Sequence, residues 1–242
     1  MEVSPDLGAE ALSDVLPGRP VRSFPALLST DAEATSWARA GAASGSIVVA
    51  DYQASPRGRA GLPWKVRLGE DLGFSLVLRP ELAPEREGWP YVAASLGISD
   101  ALDDARLRWP DQVETTSGVR LAALGVSAQL GPRCTEWAVV TVHIESAPRP
   151  RSRLLAGVVQ AIEHRMDQDP SEVLTDYRAR CVTIGEAVLA RMIPLGPSGP
   201  QVAGTAVDVR DDGALVLRTA REVRVGVRPQ NLGLLEPVSD DN

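Results

Sequence analysis

The 242-residue chain has almost no lysine. It carries 24 arginines and one lysine, Lys65, so chemistry that needs a compact ammonium has a single candidate. Cysteine is also scarce. Cys134 and Cys181 stand apart from each other and from both histidines, which leaves no metal-ligand spacing and no disulfide framework. Two unpaired thiols fit a reducing cytoplasm. No apolar run approaches the ~20 residues needed to cross a bilayer, so no membrane partner is expected. The first residues, Met1-Glu-Val-Ser-Pro-Asp6, have neither a basic segment nor an apolar one, and no signal peptide is expected. Excess positive charge is absent. A net charge of -7 and a pI near 5.0 argue against nucleic acid or anionic lipid as partners. There is no Ser-His-Asp pattern, no P-loop and no paired carboxylates arranged for acid/base work.

What remains is an ordinary globular composition, 44% hydrophobic and 24% charged. The length suits one large domain or a medium one with a small appendage. The most informative stretch is Asp51-Tyr-Gln-Ala-Ser-Pro-Arg-Gly-Arg-Ala-Gly-Leu-Pro-Trp64. It follows an apolar β-type run, Ser46–Ala50, and places Arg57, Gly58, Arg59 and Gly61 within five residues. A flexible backbone at a strand end folds readily over an anion, and two guanidinium forks bind a carboxylate or phosphate. The same residues also fit an exposed basic loop.

Along the chain, residues 1–22 are rich in Pro, Gly and acidic residues and read as a loose N-terminal arm. Helix is expected over 31–41, where Ser29-Thr30 offers caps and Ala32, Ala34, Trp37 and Ala38 supply an apolar side. Strands are expected at 46–50 and 72–78, a helix at 91–104, and strands near 107–109, 119–129 and 137–144. The run Trp137–Ile144 is nearly continuous apolar, as a buried strand should be. Helices follow at 151–168 and 171–179. From about residue 183 short β-type runs alternate with turns at 187–193, 201–209, 214–218 and 222–227. Asp212-Gly213 marks a hairpin. These strands predict a small β-barrel packed on its neighbour.

In this order the elements resemble the biotin protein ligases, of the biotin/lipoate protein ligase superfamily, over about residues 23–237. Ser29-Thr30-Asp31 resembles that family's Ser-Thr-Asn at the first helix. Gln53 and Pro56–Trp64 resemble its Gln and Gly-Arg-Gly-Arg-x-Gly-Arg-x-Trp loop. Phe74-Ser-Leu-Val-Leu-Arg-Pro80 resembles a family strand, and Arg108-Trp-Pro-Asp-Gln112 its Lys-Trp-Pro-Asn-Asp. Tyr177–Gly185 and Val202–Leu215 resemble the linker and the SH3-like C-terminal domain. The fold class implied is α+β: a mixed sheet with packed helices, class II synthetase-like, over 23–182. A small SH3-like barrel and acidic tail would follow over 183–242.

The resemblance implies that biotin and MgATP form biotinyl-5′-AMP, and that the biotinyl group then passes to a lysine of a biotin carboxyl carrier domain. It implies no protein-bound metal. Ser29, Thr30, Gln53, Arg57, Gly58, Arg59 and Gly61 would line the site of the small carboxylic acid. Trp64, Asp111 and Glu145 would face the nucleotide. Arg120 stands at the position of the family's catalytic lysine. It keeps the charge but offers a planar fork in place of a point ammonium. Trp64 equally fits a core tryptophan and Gln53 a surface amide.

Further departures gather on the nucleotide side. Gln112 replaces an aspartate, and Thr141-Val-His-Ile-Glu145 replaces Gly-x-Gly-x-Asn. Lys65 is a solvated side chain or a substitute ammonium, and His143 a structural histidine or a catalytic one. Two readings therefore stand: a divergent ligase, or a noncatalytic protein of ligase fold that binds a small carboxylic acid or a carrier protein. The arm is too short for the winged-helix DNA-binding domain of some ligases. A homodimer through the sheet would follow family habit.

Overall fold

The computed structural model describes residues 2–196 and 198–238. Helix α1 (Ala9–Val15) and strand β1 (Val21–Phe24) open the chain. Then come α2 (Thr30–Arg39), β2 (Ile47–Ala50), β3 (Leu72–Leu78) and α3 (Trp89–Asp100). Strands β4 (Ala105–Arg108), β5 (Gln112–Thr115), β6 (Arg120–Leu130) and β7 (Thr135–Ile144) precede helices α4 (Arg151–Asp167) and α5 (Pro170–Arg180). Five strands finish it: β8 (Ala187–Met192), β9 (Gln201–Val209), β10 (Leu215–Arg218), β11 (Arg224–Val227) and β12 (Leu232–Pro237).

The first seven strands make one mixed sheet in the order β1-β2-β3-β7-β6-β5-β4, with only β1 and β2 parallel. Period-2 alternation divides its side chains between two faces. Leu72, Phe74, Leu76, Val140, Val142 and Ile144 point into the main core with α3 and α4. Val48, Val77, Val139 and Trp137 point the other way, against Ala34 and Ala38 of α2. Helix α3 is buried nearly throughout because it lies between the sheet and α4. Gly97 permits that approach: a Cβ there would lie 2.7 Å from the backbone of Ile162.

The second sheet is antiparallel, ordered β11-β10-β9-β8-β12, and fits the expected barrel-like C-terminal unit. It is fastened to the first. Trp109 Nε1 donates to the Gly213 carbonyl at 2.9 Å, and its backbone N–H donates to Thr183 Oγ1 at 3.0 Å.

Residues 2–22 differ from the loose arm expected. Leu7, Leu12 and Leu16 are buried in the main core. Asp6 accepts from the guanidinium of Arg151, which also donates to Asp51 at 2.6 Å. Three leucines and one carboxylate outweigh the polar composition of the segment.

Candidate functional site

The α2 face of the sheet is unusually bare on one side. Gly73 of β3 and Gly125 of β6 lie on that face, with Ser75 and Ala123 beside them. The segment 51–64 folds down onto this floor. A Cβ on Gly73 would meet Gln53 Nε2 at 2.3 Å, and one on Gly125 would meet the Gly58–Arg59 backbone at 3.1 Å. A short 3-10 turn, Arg59–Gly61, bends the loop, with Gly61 at φ +72° and Ala60 at φ +55°. Gly58 packs directly against the Trp64 indole, where any Cβ would lie 2.6 Å from the ring.

Between this loop, β5–β6 and the second sheet lies a cleft of about 650 Å³. Arg59, Trp64, Asp111, Arg120 and Ala123 line one side, Val188, Leu234 and Leu235 another, and Arg108 and Glu186 its rim. Its cations are all paired. Arg59 Nε donates to Asp111 Oδ2 at 2.9 Å, and its guanidinium also reaches the Leu232 carbonyl of the second sheet. Arg120 donates to Glu145 at 2.6 Å. Arg108 bridges Glu114 and Glu186. Burial pushes the Asp111 carboxyl above its ordinary range, against the pull of Arg59. The hydrogen bond to Glu114 holds Arg108 firmly protonated.

Beside the cleft, on the same face, runs a buried strip of short polar side chains. Gln53 Oε1 accepts from the Thr30 backbone N–H at 2.8 Å and from Thr30 Oγ1 at 3.1 Å, so it caps α2 in trans. Ser29 occupies the N-cap position but makes no side-chain capping bond. Ser75 links Thr30 to Thr141, and Thr141 and Ser127 both donate to Asp31 Oδ1. The hydroxyls are bonded to one another, to Gln53 or to Asp31, so a polar ring would have to share or displace these bonds.

His143 separates the strip from the cleft. It pairs across strands with Gly73 on one side and Ala123 on the other. Its Nε2 lies 3.2 Å from Asp71 Oδ2, and the Trp64 ring stacks on it at 5.6 Å, tilted 23°. A carboxylate only accepts, so Nε2 carries the proton. Burial holds the His143 pKa below its ordinary value despite Asp71. Burial alone would raise Asp71. The backbone N–H groups of Arg67 and Ser146, with the Arg67 and His143 side chains, outweigh it and hold that carboxyl low.

Of the residues singled out from the sequence, Arg59, Trp64, Asp111 and Arg120 converge on the cleft, and Thr30 and Gln53 on the strip. Ser29 is buried beside them. Glu145 reaches the cleft only through Arg120. Arg57 goes elsewhere. It is exposed and donates to its own loop at the Gly61 carbonyl, 3.0 Å away. The paired guanidinium forks expected of the loop are therefore separated, one out in water and one buried against a carboxylate. Lys65 is exposed and does not line the cleft. Ser127 and the apolar wall from β8 and β12 stand in no motif, and Ser75, inside the Phe74–Pro80 run, carries no sign of a binding role there; the register places them.

No family model matches the chain. It is 28% identical over 216 residues to a biotin–[acetyl-CoA-carboxylase] ligase of Mycobacterium tuberculosis, covering 78% of this chain and 79% of that protein. Among solved structures, the biotin protein ligase of Aquifex aeolicus in complex with biotin and ATP has a TM-score of 0.70 at 19% identity, covering 90% of this chain and 99% of that one. The biotin acetyl coenzyme A carboxylase synthetase of Helicobacter pylori has a TM-score of 0.63 at 15% identity, covering 86% and 98%. At these identities the structural likeness speaks for the fold.

Proposed function

The chain is a homologue of the biotin protein ligases by sequence and shares their fold, and on that premise we propose that it forms an acyl-adenylate from biotin and ATP and passes the acyl group to a carrier-domain lysine. In this reading residues 23–182 carry the chemistry and strands β8–β12 form an SH3-like appendage. One observation carries it: a polar strip suited to a small polar ring and a cleft holding Arg59, Arg120 and Trp64 adjoin on one sheet face. From Gly73 across His143 to Ala123 is two strand spacings, roughly 10 Å.

The two substrates set the physical demand. The acid's carboxylate oxygen must attack the α-phosphorus while pyrophosphate leaves, and both partners are anions. Two guanidiniums lining one side of the cleft lower that repulsion and fix the approach. Thr30, Gln53 and Ser75 would hold the acid's ring. Arg120 and Arg59 would flank carboxylate and phosphate, and Trp64 would cover the adenylate from water. In the second half-reaction the carrier amine attacks the acyl carbon and AMP leaves. Magnesium enters with ATP as part of that substrate.

The ion pairing favours a second reading. Arg59 and Arg120 are each held by a carboxylate, so an incoming anion must displace or share Asp111 and Glu145. A protein that binds a small carboxylic acid or a carrier protein without turnover need not bring the nucleotide phosphates into the cleft as well. Pyrophosphate release with biotin and MgATP, run beside calorimetric titration of each alone, separates the two. Turnover supports the ligase, acid binding without turnover supports the noncatalytic reading, and neither binding nor turnover overturns both.

A further inference from the structure

His143, which stands on β7 between the strip and the cleft without lining the cleft, carries an unanswered polar atom. The side chain is 1% exposed, and among the described residues its Nδ1 has no hydrogen-bond partner. Buried polar atoms are nearly always paired, and an unpaired one costs about 1–3 kcal/mol. The ring is also fixed from two directions. Asp71 takes the proton on Nε2, and Trp64 lies against the ring. A neutral imidazole held in this way presents the Nδ1 lone pair as a rigid acceptor. The position joins the two halves of the site, since the neighbours across the strands are Ala123 in the cleft wall and Gly73 beneath Gln53.

Resting on the reading of the site given above, we propose that His143 is a specificity-determining residue, whose Nδ1 accepts a hydrogen bond from a hydroxyl or N–H group of the small molecule bound between the polar strip and the cleft. Two sources offer such a donor: the sugar hydroxyls of a nucleotide and the ring N–H groups of biotin. Both are small, neutral donors beside an acidic group. The role also accounts for a bulky side chain among the glycine, alanine, serine and threonine of the surrounding floor.

Protonation reverses the role. Imidazolium has no acceptor, so binding through Nδ1 weakens on acidification. The charged groups near the ring are Asp71 on Nε2, Arg67 behind Asp71, Glu145 beyond the end of the strand and Arg120 on β6. Burial keeps the ring neutral at neutral pH, so the loss belongs below the ordinary histidine value of 6.5.

The test is calorimetry on the full chain with ATP alone, biotin alone and both, from about pH 8 to about pH 5. The variant is His143→Phe, which keeps a ring against Trp64 and removes the acceptor. The wild type is expected to bind at least one probe. The variant is expected to lose roughly 3- to 10-fold in affinity for the probe that donates to Nδ1, the worth of one neutral hydrogen bond. It should also lose the weakening at low pH. Asp111 titrates in both proteins and cancels in the comparison. If only ATP is affected the donor is on the nucleotide, and if only biotin it is on the acid.

Wild-type binding of neither probe overturns the site reading and the role of His143 with it. Wild-type binding matched by the variant in affinity and pH profile overturns the role alone. Should His143→Phe fail to melt cooperatively, the titration of Asp111→Asn, which keeps His143 and removes the other titrating group, decides: an affinity flat across the pH range overturns the proposal.

Discussion

The Arg59–Asp111 pair ties the loop to the rest of the site, and removing its cation has a pH-dependent consequence. The Arg59 side chain is 6% exposed and that of Asp111 14%. At ~4 Å between charge centres and an effective dielectric of ~20, the attraction is about 4 kcal/mol. Arg59→Gln leaves Asp111 with two ways out. It stays charged and unpaired, at about 3–5 kcal/mol for a broken buried pair. Otherwise it binds a proton. At pH 7 that means holding a group whose ordinary pKa is 3.8 protonated some three units too high. At 1.36 kcal/mol per unit this costs about 4 kcal/mol, but at pH 5 only about 1.6 kcal/mol.

The sign follows from proton counts. A carboxyl whose folded pKa is raised binds more protons folded than unfolded, so stability falls as pH rises from 3.8 through the folded value. Losing Arg59 raises that value further and widens the window. Urea unfolding of wild type, Arg59→Gln, Asp111→Asn and the double variant at pH 5 and pH 7.5 measures this. The expected losses for Arg59→Gln are about 3–4 kcal/mol at the higher pH and about half that at the lower. The double-mutant cycle should return a coupling of about 2–3 kcal/mol. A loss equal at both pH values, or additive single variants, would refute the argument.

Three further expectations follow from close contacts. Gly73→Ala places a Cβ 2.3 Å from Gln53 Nε2, the movable end of that side chain. It should weaken the cap on Thr30 by about 1 kcal/mol and abolish acid binding, and unchanged calorimetric affinity would remove Gln53 from the acid site. Gly97→Ala drives a methyl into the Ile162 backbone and should lower stability by about 1–3 kcal/mol, visible as a fall in Tm. Arg151→Met removes the buried guanidinium shared by Asp6 and Asp51, leaving Asp6 only Arg149 at 3.7 Å and the residue-151 backbone N–H, and should cost about 3–5 kcal/mol at neutral pH. The hydrogen bond from Arg151 holds the Asp6 carboxyl below its ordinary 3.8. Its stabilisation is present above that value and lost as pH falls through the folded pKa, so the gap to wild type in urea midpoints should narrow below about pH 4.

Most of the sheet is legible in the sequence because its strands are long or flanked by clear breakers. Leu72–Leu78 reads as a strand up to the Arg79-Pro80 stop, and the structure places β3 there. The helix at 151–168 is found as α4 (Arg151–Asp167). The elements that escaped are short and set by tertiary contacts. Strand β1 has four residues and exists because β2 pairs with it in parallel. Strand β5 likewise has four, and β12 is polar at one end and pairs with β8 through a register shift. Helix α1 sits in a segment whose composition reads as loop. Leu12 and Leu16, one turn apart, decide otherwise.

The site divides along the same line. Arg59 and Trp64 stand in one recognisable run and Asp111 in another, and both runs reach the cleft. The strip was only half visible: Thr30 and Gln53 stand out as site candidates, whereas Ser75 and Thr141, though inside family-like runs, and Ser127 read as strand residues until register aligns them. Charge compensation was not visible at all. Glu145 is separated from Arg120 by 25 positions and Asp111 from Arg59 by 52, so two arginines that read as free cations come out paired. The outcome matters for mechanism. In a low-dielectric cleft a guanidinium already matched to a carboxylate attracts a further anion far less than a bare one. Any ligand that engages Arg59 must therefore either carry a proton to Asp111, whose carboxyl is already biased upward by burial, or move the loop off the Leu232 carbonyl. Binding of an anion by this cleft should accordingly take up protons, with an uptake that disappears in Asp111→Asn. Calorimetric titrations in buffers of different ionisation enthalpy measure it directly, and an anion that binds without proton uptake leaves loop movement as the route.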